Sequence, residues 1–327
     1  KKPATRWITP LPFPVLCVAR VEVIDQISLG KLTTEYTYHH GYWDGEEREF
    51  RGFGRVDQRD TETFDRYNAN APLQVEPEHF SPPTETRTWF HLGGIVKTTT
   101  TGNVSLYDDP IAIGWTEADF SAEYWQGDLN KLSRPSSMVN FLKALPSKRR
   151  REALRTLRGS ILRSELYALD GSSRQDRPYT VSENQTGVAQ VVYLDNLGSF
   201  SYELSFDGAV AGTGSRVDLG KYWLFFPHGL SSRSSAWERG DEPMTSLSFQ
   251  SGYDQYGHAL QSVSLAVPRT RCLDWESAVT GPTESFLGTY SETVLVHKND
   301  ATHYLIGRPL EAKSWEVVND GTDSLWD

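Results

Sequence analysis

Alternation with a period of two residues is the feature that most constrains how this chain can fold. From Phe200 to Phe206, Phe200, Tyr202, Leu204 and Phe206 fall on one side and Ser201, Glu203 and Ser205 on the other, ending at the turn pair Asp207-Gly208. Val263, Leu265 and Val267 alternate with Ser262, Ser264 and Ala266 in the same way. They follow Leu247 and Phe249 and a connection through Tyr253-Asp254-Gln255-Tyr256-Gly257. This pattern gives a strand one apolar and one polar face, so half-buried antiparallel hairpins are expected. Further strands are predicted at 21–24 and 33–38, with a third hairpin from 293–296 and 303–306 across Asn299 and Asp300.

One stretch departs from this period. Across 136–166, Pro146 suits a first helical turn, Leu154, Leu157 and Ile161 fall at helical spacing, and Gly159 suits a C-terminal cap. A single helical insertion near 136–166 is therefore expected in a mainly β chain. Pro-rich stretches at 10–14 and 81–83 are candidate segment boundaries.

Of the 327 residues, 43 are acidic and 33 basic, a net charge of -10 that gives nucleic acid or anionic membrane no general electrostatic attraction. The sequence contains no run of 18 apolar residues, so direct membrane insertion is not expected. Only Cys17 and Cys272 are present, too few for a disulfide framework. The chain starts at Lys1 and reads as excised from something longer.

Its densest segment runs Tyr36-Thr37-Tyr38-His39-His40-Gly41-Tyr42-Trp43-Asp44-Gly45 into Glu46-Glu47-Arg48-Glu49-Phe50-Arg51-Gly52-Phe53-Gly54-Arg55-Val56-Asp57. On a strand, Glu47 and Glu49 share a face with Cβ atoms about 7 Å apart, within the loose range for carboxylate-pair catalysis. Arg48, Arg51 and Arg55 make a charge ladder beside a glycine-turned sheet the better reading. Glu47-Arg48-Glu49 also has the form of an ADP-ribosyltransferase E-x-E, without a Ser-Thr-Ser strand to accompany it. His39 and His40 point to opposite faces of a strand, which is poor geometry for one metal. Gly212-Thr213-Gly214-Ser215 has no strand-to-helix frame for a phosphate loop. The basic run 148–151, with Arg155 and Arg158, reads as a solvated helix face paired with local acids rather than a nucleic-acid contact. Trp89, Trp115, Trp125, Trp223 and Trp237 read as core or interface anchors, with sugar-stacking platforms as the alternative. No catalytic, cofactor-binding or metal-ligating residues are expected, and no cofactor.

The 38–54 segment resembles a signature of the middle and C-terminal region of Tc insecticidal toxin B components, Tyr-His-x-Gly-Tyr-x-Asp-Gly-x-x-Arg-Glu-Phe-Arg-Gly-Phe-Gly. The resemblance resumes at 84–91, 150–171 and 177–181, and in Tyr253-Asp254-Gln255-Tyr256-Gly257-His258 with 262–269, which is similar to Rhs/YD-repeat shell proteins. What it implies is a β segment over 1–110 bearing the signature, then a β shell segment over 111–327 with a YD-like hairpin near 245–268. Tyr38, Gly41, Asp44, Gly45, Arg48, Glu49, Arg51, Gly52, Phe53, Gly54, Tyr253, Asp254, Tyr256 and Gly257 would set its turns and packing. It further implies curved antiparallel strands forming part of a hollow cocoon around a toxic enzyme, secreted or at the cell surface. The implied partners are a toxin C component and, through the parent chain, an A-component channel; catalysis would belong to the cargo. The alternatives kept open are a carbohydrate-binding β module and an enzyme built on Glu47 and Glu49.

Overall fold

The structure, a computed structural model, describes residues 11–27, 31–60, 76, 82–96, 115–196, 199–205, 215–216, 223–269 and 286–318. Its strands are β1 (Arg20–Ile24), β2 (Lys31–Asp44), β3 (Glu49–Asp60), β4 (Thr84–Phe90), β5 (Ile95–Val96), β6 (Trp115–Thr116), β7 (Ile161–Ala168) and β8 (Thr180–Asn196). The remainder are β9 (Ser199–Ser205), β10 (Ser215–Arg216), β11 (Leu224–Ala236), β12 (Met244–Tyr253), β13 (Ala259–Val267), β14 (Leu287–Asn299) and β15 (Tyr304–Val317). Two helices, α1 (Ser136–Ala144) and α2 (Ser147–Arg155), lie between β6 and β7.

Thirteen strands form one sheet in the order β1-β2-β3-β4-β7-β8-β11-β12-β13-β14-β15, with β9 and β10 also on β8, while β5 and β6 pair separately. Every pairing is antiparallel. The path ends at β1 and β15, so the sheet does not close on itself. β4 pairs with β7, which carries the sheet through the division expected at 110.

The hairpins expected from alternation are present, with Leu247 opposite Leu265, Phe249 opposite Val263 and Asn299 opposite Tyr304. Phe206, Asp207-Gly208, Gly212 to Gly214 and Cys272 lie outside the described residues. Within β9, Ser205 is buried, although alternation puts it on the polar side.

The helical insertion expected over 136–166 needs correction: it is two short helices followed by strand. Pro146 precedes α2 rather than occupying its first turn, and its carbonyl accepts the Arg150 N–H. Gly159 adopts a left-handed φ of 81° beyond α2 and donates its N–H to the His91 carbonyl. From there the β-rich residues 161–168 extend and pair with β4, taking Ile161 out of any helix. α1 buries Met138, Phe141 and Leu142 at helical spacing against Leu145, Ala153, Leu154, Leu157 and Val188. The Arg150 guanidinium closes its C-terminus by donating to the Leu142, Lys143 and Leu145 carbonyls. No helix among the described residues is long and apolar enough to cross a membrane.

Glu117, after β6, ties this helical excursion down by accepting from His91 Nδ1 at 3.1 Å and from Arg134. Burial alone would raise its pKa, but the His91 hydrogen bond and the Arg134 charge outweigh that and bring it from 4.5 to about 2. A carboxylate depressed on folding stabilises the fold above its ordinary pKa and loses that contribution as pH falls toward the folded value. Glu117→Gln should therefore flatten the decline in stability between pH 4.5 and 2, as read by urea melts across that window.

Candidate functional site

The 38–54 segment folds as the β2–β3 hairpin, and its charges meet both one another and the basic helix. Asp44 caps the turn, with Oδ1 accepting the Glu46 N–H at 3.0 Å and the Glu47 N–H at 3.3 Å. Gly45 is exposed, and Arg48 turns the chain with a φ of 54°. A register shift beside Tyr42 and Trp43 leaves Arg51 without a cross-strand partner, next to Gly52 at a φ of 98°. This bulge aims Arg51 inward. There its fully buried guanidinium binds Asp44, with Glu49 3.9 Å away.

Arg151 of α2 reaches the same carboxylate at 3.3 Å, together with Glu46 at 3.1 Å and Glu47 at 2.8 Å. Arg155 binds Glu49 at 3.0 Å and Arg158 binds its other oxygen. Burial pushes the Asp44 pKa up, but the Glu47 N–H and the Arg51 and Arg151 charges hold it below the ordinary carboxylate value. The ladder expected around Glu47 and Glu49 is thus a clasp between segments about a hundred residues apart. Both carboxylates are taken up by guanidinium groups, which leaves them poorly placed to act as an acid–base pair.

Aromatic packing completes the hairpin. Tyr38 donates to the Val18 carbonyl at 2.9 Å, and its ring lies 4.8 Å from Phe53. Gly41 lies against Leu11 and Gly54 against Phe120; a Cβ at Gly54 would sit 2.5 Å from the Phe120 ring. Gly54→Val should therefore cost roughly 1–3 kcal/mol by overpacking, visible as a lower urea midpoint at unchanged slope. His39 contacts Asp57 at 3.0 Å and His40 contacts Glu123 at 2.6 Å, so the two imidazoles serve different carboxylates.

A second charge group had no sequence signal. Asp128, Arg163, Glu165, Glu183 and Arg233 are all buried. Arg233 holds Asp128 through two bonds of 2.8 and 2.6 Å and Glu183 at 3.0 Å. Arg163 holds Asp128 at 2.8 Å and Glu165 at 2.7 Å. Glu165 and Glu183 also accept the Trp125 and Leu132 backbone N–H groups, which pins the 125–132 segment to the sheet. Desolvation disfavours the Arg163 charge, but these carboxylates raise its pKa overall.

On these strands the buried positions carry charged and apolar side chains together with the Ser235–Thr245 hydroxyl pair, and most of the others carry small hydroxyls. In register, Ser182, Ser234, Ser246 and Ala266 lie side by side, as do Asn184, Ser232, Ser248, Ser264, Thr289 and Glu316. They line a recess of about 880 Å³ that reaches from β8 to β15, so the sheet curves around it. Trp315 also lines this recess, whereas Trp89, Trp115 and Trp237 are buried, Trp125 packs edge-on against Trp237, and Arg149 lies over Trp223.

At the YD-like hairpin, Tyr253 donates to the Gly229 carbonyl at 2.6 Å, and Gly257, with a φ of 84°, packs on Phe226. Asp254 closes the turn by accepting the Tyr256 and His258 N–H groups, and the Tyr256 ring lies 4.6 Å from His297. Bringing His297 to this turn was invisible in sequence, because it comes from β14, some forty residues on.

Two family models match: the insecticide toxin TcdB middle/N-terminal region over residues 1–77, and the middle/C-terminal region over 152–202. The first includes the whole 38–54 string; the second includes all of β7 and β8. A comparison with curated protein sequences finds no match. Among solved structures, a TcdB2-TccC3-Cdc42 crystal structure aligns over 97% of this chain and 14% of its own, with 24% identity and a TM-score of 0.61. A crystal structure of TcdB2-TccC3 lacking the hypervariable C-terminal region aligns over 97% and 14%, with 23% identity and a TM-score of 0.60. The Tc holotoxin pore of Photorhabdus luminescens aligns over 97% and 13%, with 24% identity and a TM-score of 0.59. The chain thus spans about one seventh of the length of the solved chains it matches. Two matched segments, the first carrying the acidic side of the clasp and the second Arg155 and Arg158 from its basic side, on a shared fold, mark this chain as similar to the middle region of Tc insecticidal toxin B components.

Proposed function

We propose that the chain is a non-enzymatic wall segment of a toxin-complex B component, one stretch of the curved sheet with which B and C components enclose a toxic cargo. The observation that carries this reading is the open curved sheet itself. One set of positions is committed mostly to apolar and ion-paired contacts, and the other presents a face rich in small hydroxyls to a recess spanning six strands. Larger side chains enter the recess toward its β13–β15 end, where Leu265, Leu287, Trp315 and Glu316 join the lining. The β15 edge of the sheet supports the same reading, because Leu305, Leu310, Trp315 and Val317 are exposed on a strand that pairs with β14 and has no second partner among the described residues. Natural sheets rarely leave such an edge uncovered.

In this role the chain works with a C component that completes the wall and, through its parent protein, with the A-component channel, in a secreted or cell-surface complex. Hydrogen exchange tests it. Edge amides of β15 that exchange quickly in the isolated chain should slow by at least about tenfold in the parent protein joined to its C partner. Equal exchange in both states would overturn the wall reading.

A further inference from the structure

The β12–β13 turn holds a group that neither the clasp nor the wall uses. With Asp254 Oδ1 occupied by the two turn N–H groups, Oδ2 faces His258 Nδ1 at 2.9 Å and His297 Nε2 at 2.9 Å. The three ligand atoms lie within 4.8 Å of one another, and each residue is half-buried. His258 is the most open of the three, its side chain 41% exposed, and leaves an approach from solvent. The rings are held in place: His258 stacks on His297 at 5.8 Å, and Tyr256 packs against His297. Gly307, at a φ of 71°, leaves room beside His258.

We propose that Asp254, His258 and His297 bind one divalent transition metal ion of the zinc class through Oδ2, Nδ1 and Nε2, with solvent completing the coordination. Two imidazoles and one carboxylate suit zinc, cobalt or nickel, whereas calcium and magnesium favour oxygen-only shells. Bonds of about 2.0–2.1 Å in a tetrahedron set ligand atoms roughly 3.3 Å apart. The metal-free contacts of 2.9 Å thus need to open only slightly. The carboxylate is already anchored for the task, since its two backbone hydrogen bonds fix its orientation.

One contact opposes loading. Gly307 donates its N–H to His297 Nδ1 at 3.0 Å, so in the metal-free chain the imidazole proton sits on Nε2 and points at Asp254. Ligation through Nε2 moves that proton to Nδ1 and forfeits the Gly307 bond. Affinity is therefore expected on the order of micromolar, below that of four-ligand structural sites. The bound ion would staple the β12–β13 turn to β14.

The test is titration of the metal-free 327-residue chain with cobalt, followed by its visible absorption, and with zinc, followed by calorimetry. One equivalent should bind, and His258→Gln, His297→Gln and Asp254→Asn should each weaken it by more than about tenfold. Asp254→Asn keeps the oxygen that closes the turn, so its loss of binding with an unchanged circular dichroism spectrum separates ligation from misfolding. Zinc should also switch the His297 nitrogen-15 signals from the Nε2–H to the Nδ1–H tautomer. Absence of uptake, uptake indifferent to these three substitutions, or uptake abolished by replacing His39 and His40 would overturn the site.

Discussion

Arg163→Met should unfold the chain at a much lower urea concentration than the native sequence tolerates, with an expected loss of roughly 3–5 kcal/mol. The reason is the charge balance of the buried cluster. Three carboxylates, from Asp128, Glu165 and Glu183, surround two guanidinium groups, from Arg163 and Arg233, and all five side chains are buried. Removing Arg163 leaves three buried carboxylates with one cation and strips Glu165 of the guanidinium to which it is bound. Asp128→Asn removes a negative charge from a cluster that has one in excess and retains a side chain of the same shape, so it should cost distinctly less. Equal losses in the two variants would mean that packing rather than charge sets the stability of this region.

Asp44→Ala should cost a similar amount, roughly 3–5 kcal/mol, by a different route. Asp44 is 2% exposed and lies between the buried guanidinium groups of Arg51 and Arg151. Its loss leaves Arg51 with only the Glu49 contact at 3.9 Å and also releases the Glu46 and Glu47 N–H groups that shape the turn. Asp44→Asn retains an oxygen for the turn while losing the charge, so urea melts should place it between the native chain and Asp44→Ala. An alanine variant within about 0.5 kcal/mol of native would show the clasp to be a surface feature.

These two clusters also mark the limit of what the sequence reveals. The β12–β13 hairpin was legible because Val263, Leu265 and Val267 point toward buried contacts while serines point away, so period and polarity agree. β7 reverses the polarity. Arg163, Glu165 and Tyr167 are buried, and Ser164 and Leu166 occupy the other positions, so hydrophobic alternation does not assign this strand its inward face. Leu154, Leu157 and Ile161 share helical spacing by chance of position; only the left-handed backbone at Gly159 and the pairing with β4 separate the first two from the third.

The basic run at 148–158 showed its charge but not its partners. Its acids lie on a hairpin about a hundred residues earlier, and nothing in local spacing selects them over nearer carboxylates such as Glu152. The signature residues were legible as a group, yet the bulge that turns Arg51 inward depends on a register shift that only the folded sheet fixes. The hydroxyl rows are scattered through the sequence as ordinary serines and become a surface only when the strands come into register.

Electron cryomicroscopy of the parent protein joined to its C partner should show this open sheet as one wall of a larger enclosure, with Ser232, Ser248, Ser264 and Thr289 facing an enclosed lumen and β15 paired with a strand from outside these 327 residues. A map with β15 bare to solvent and the hydroxyl rows on the outer surface of the assembly would contradict the wall reading.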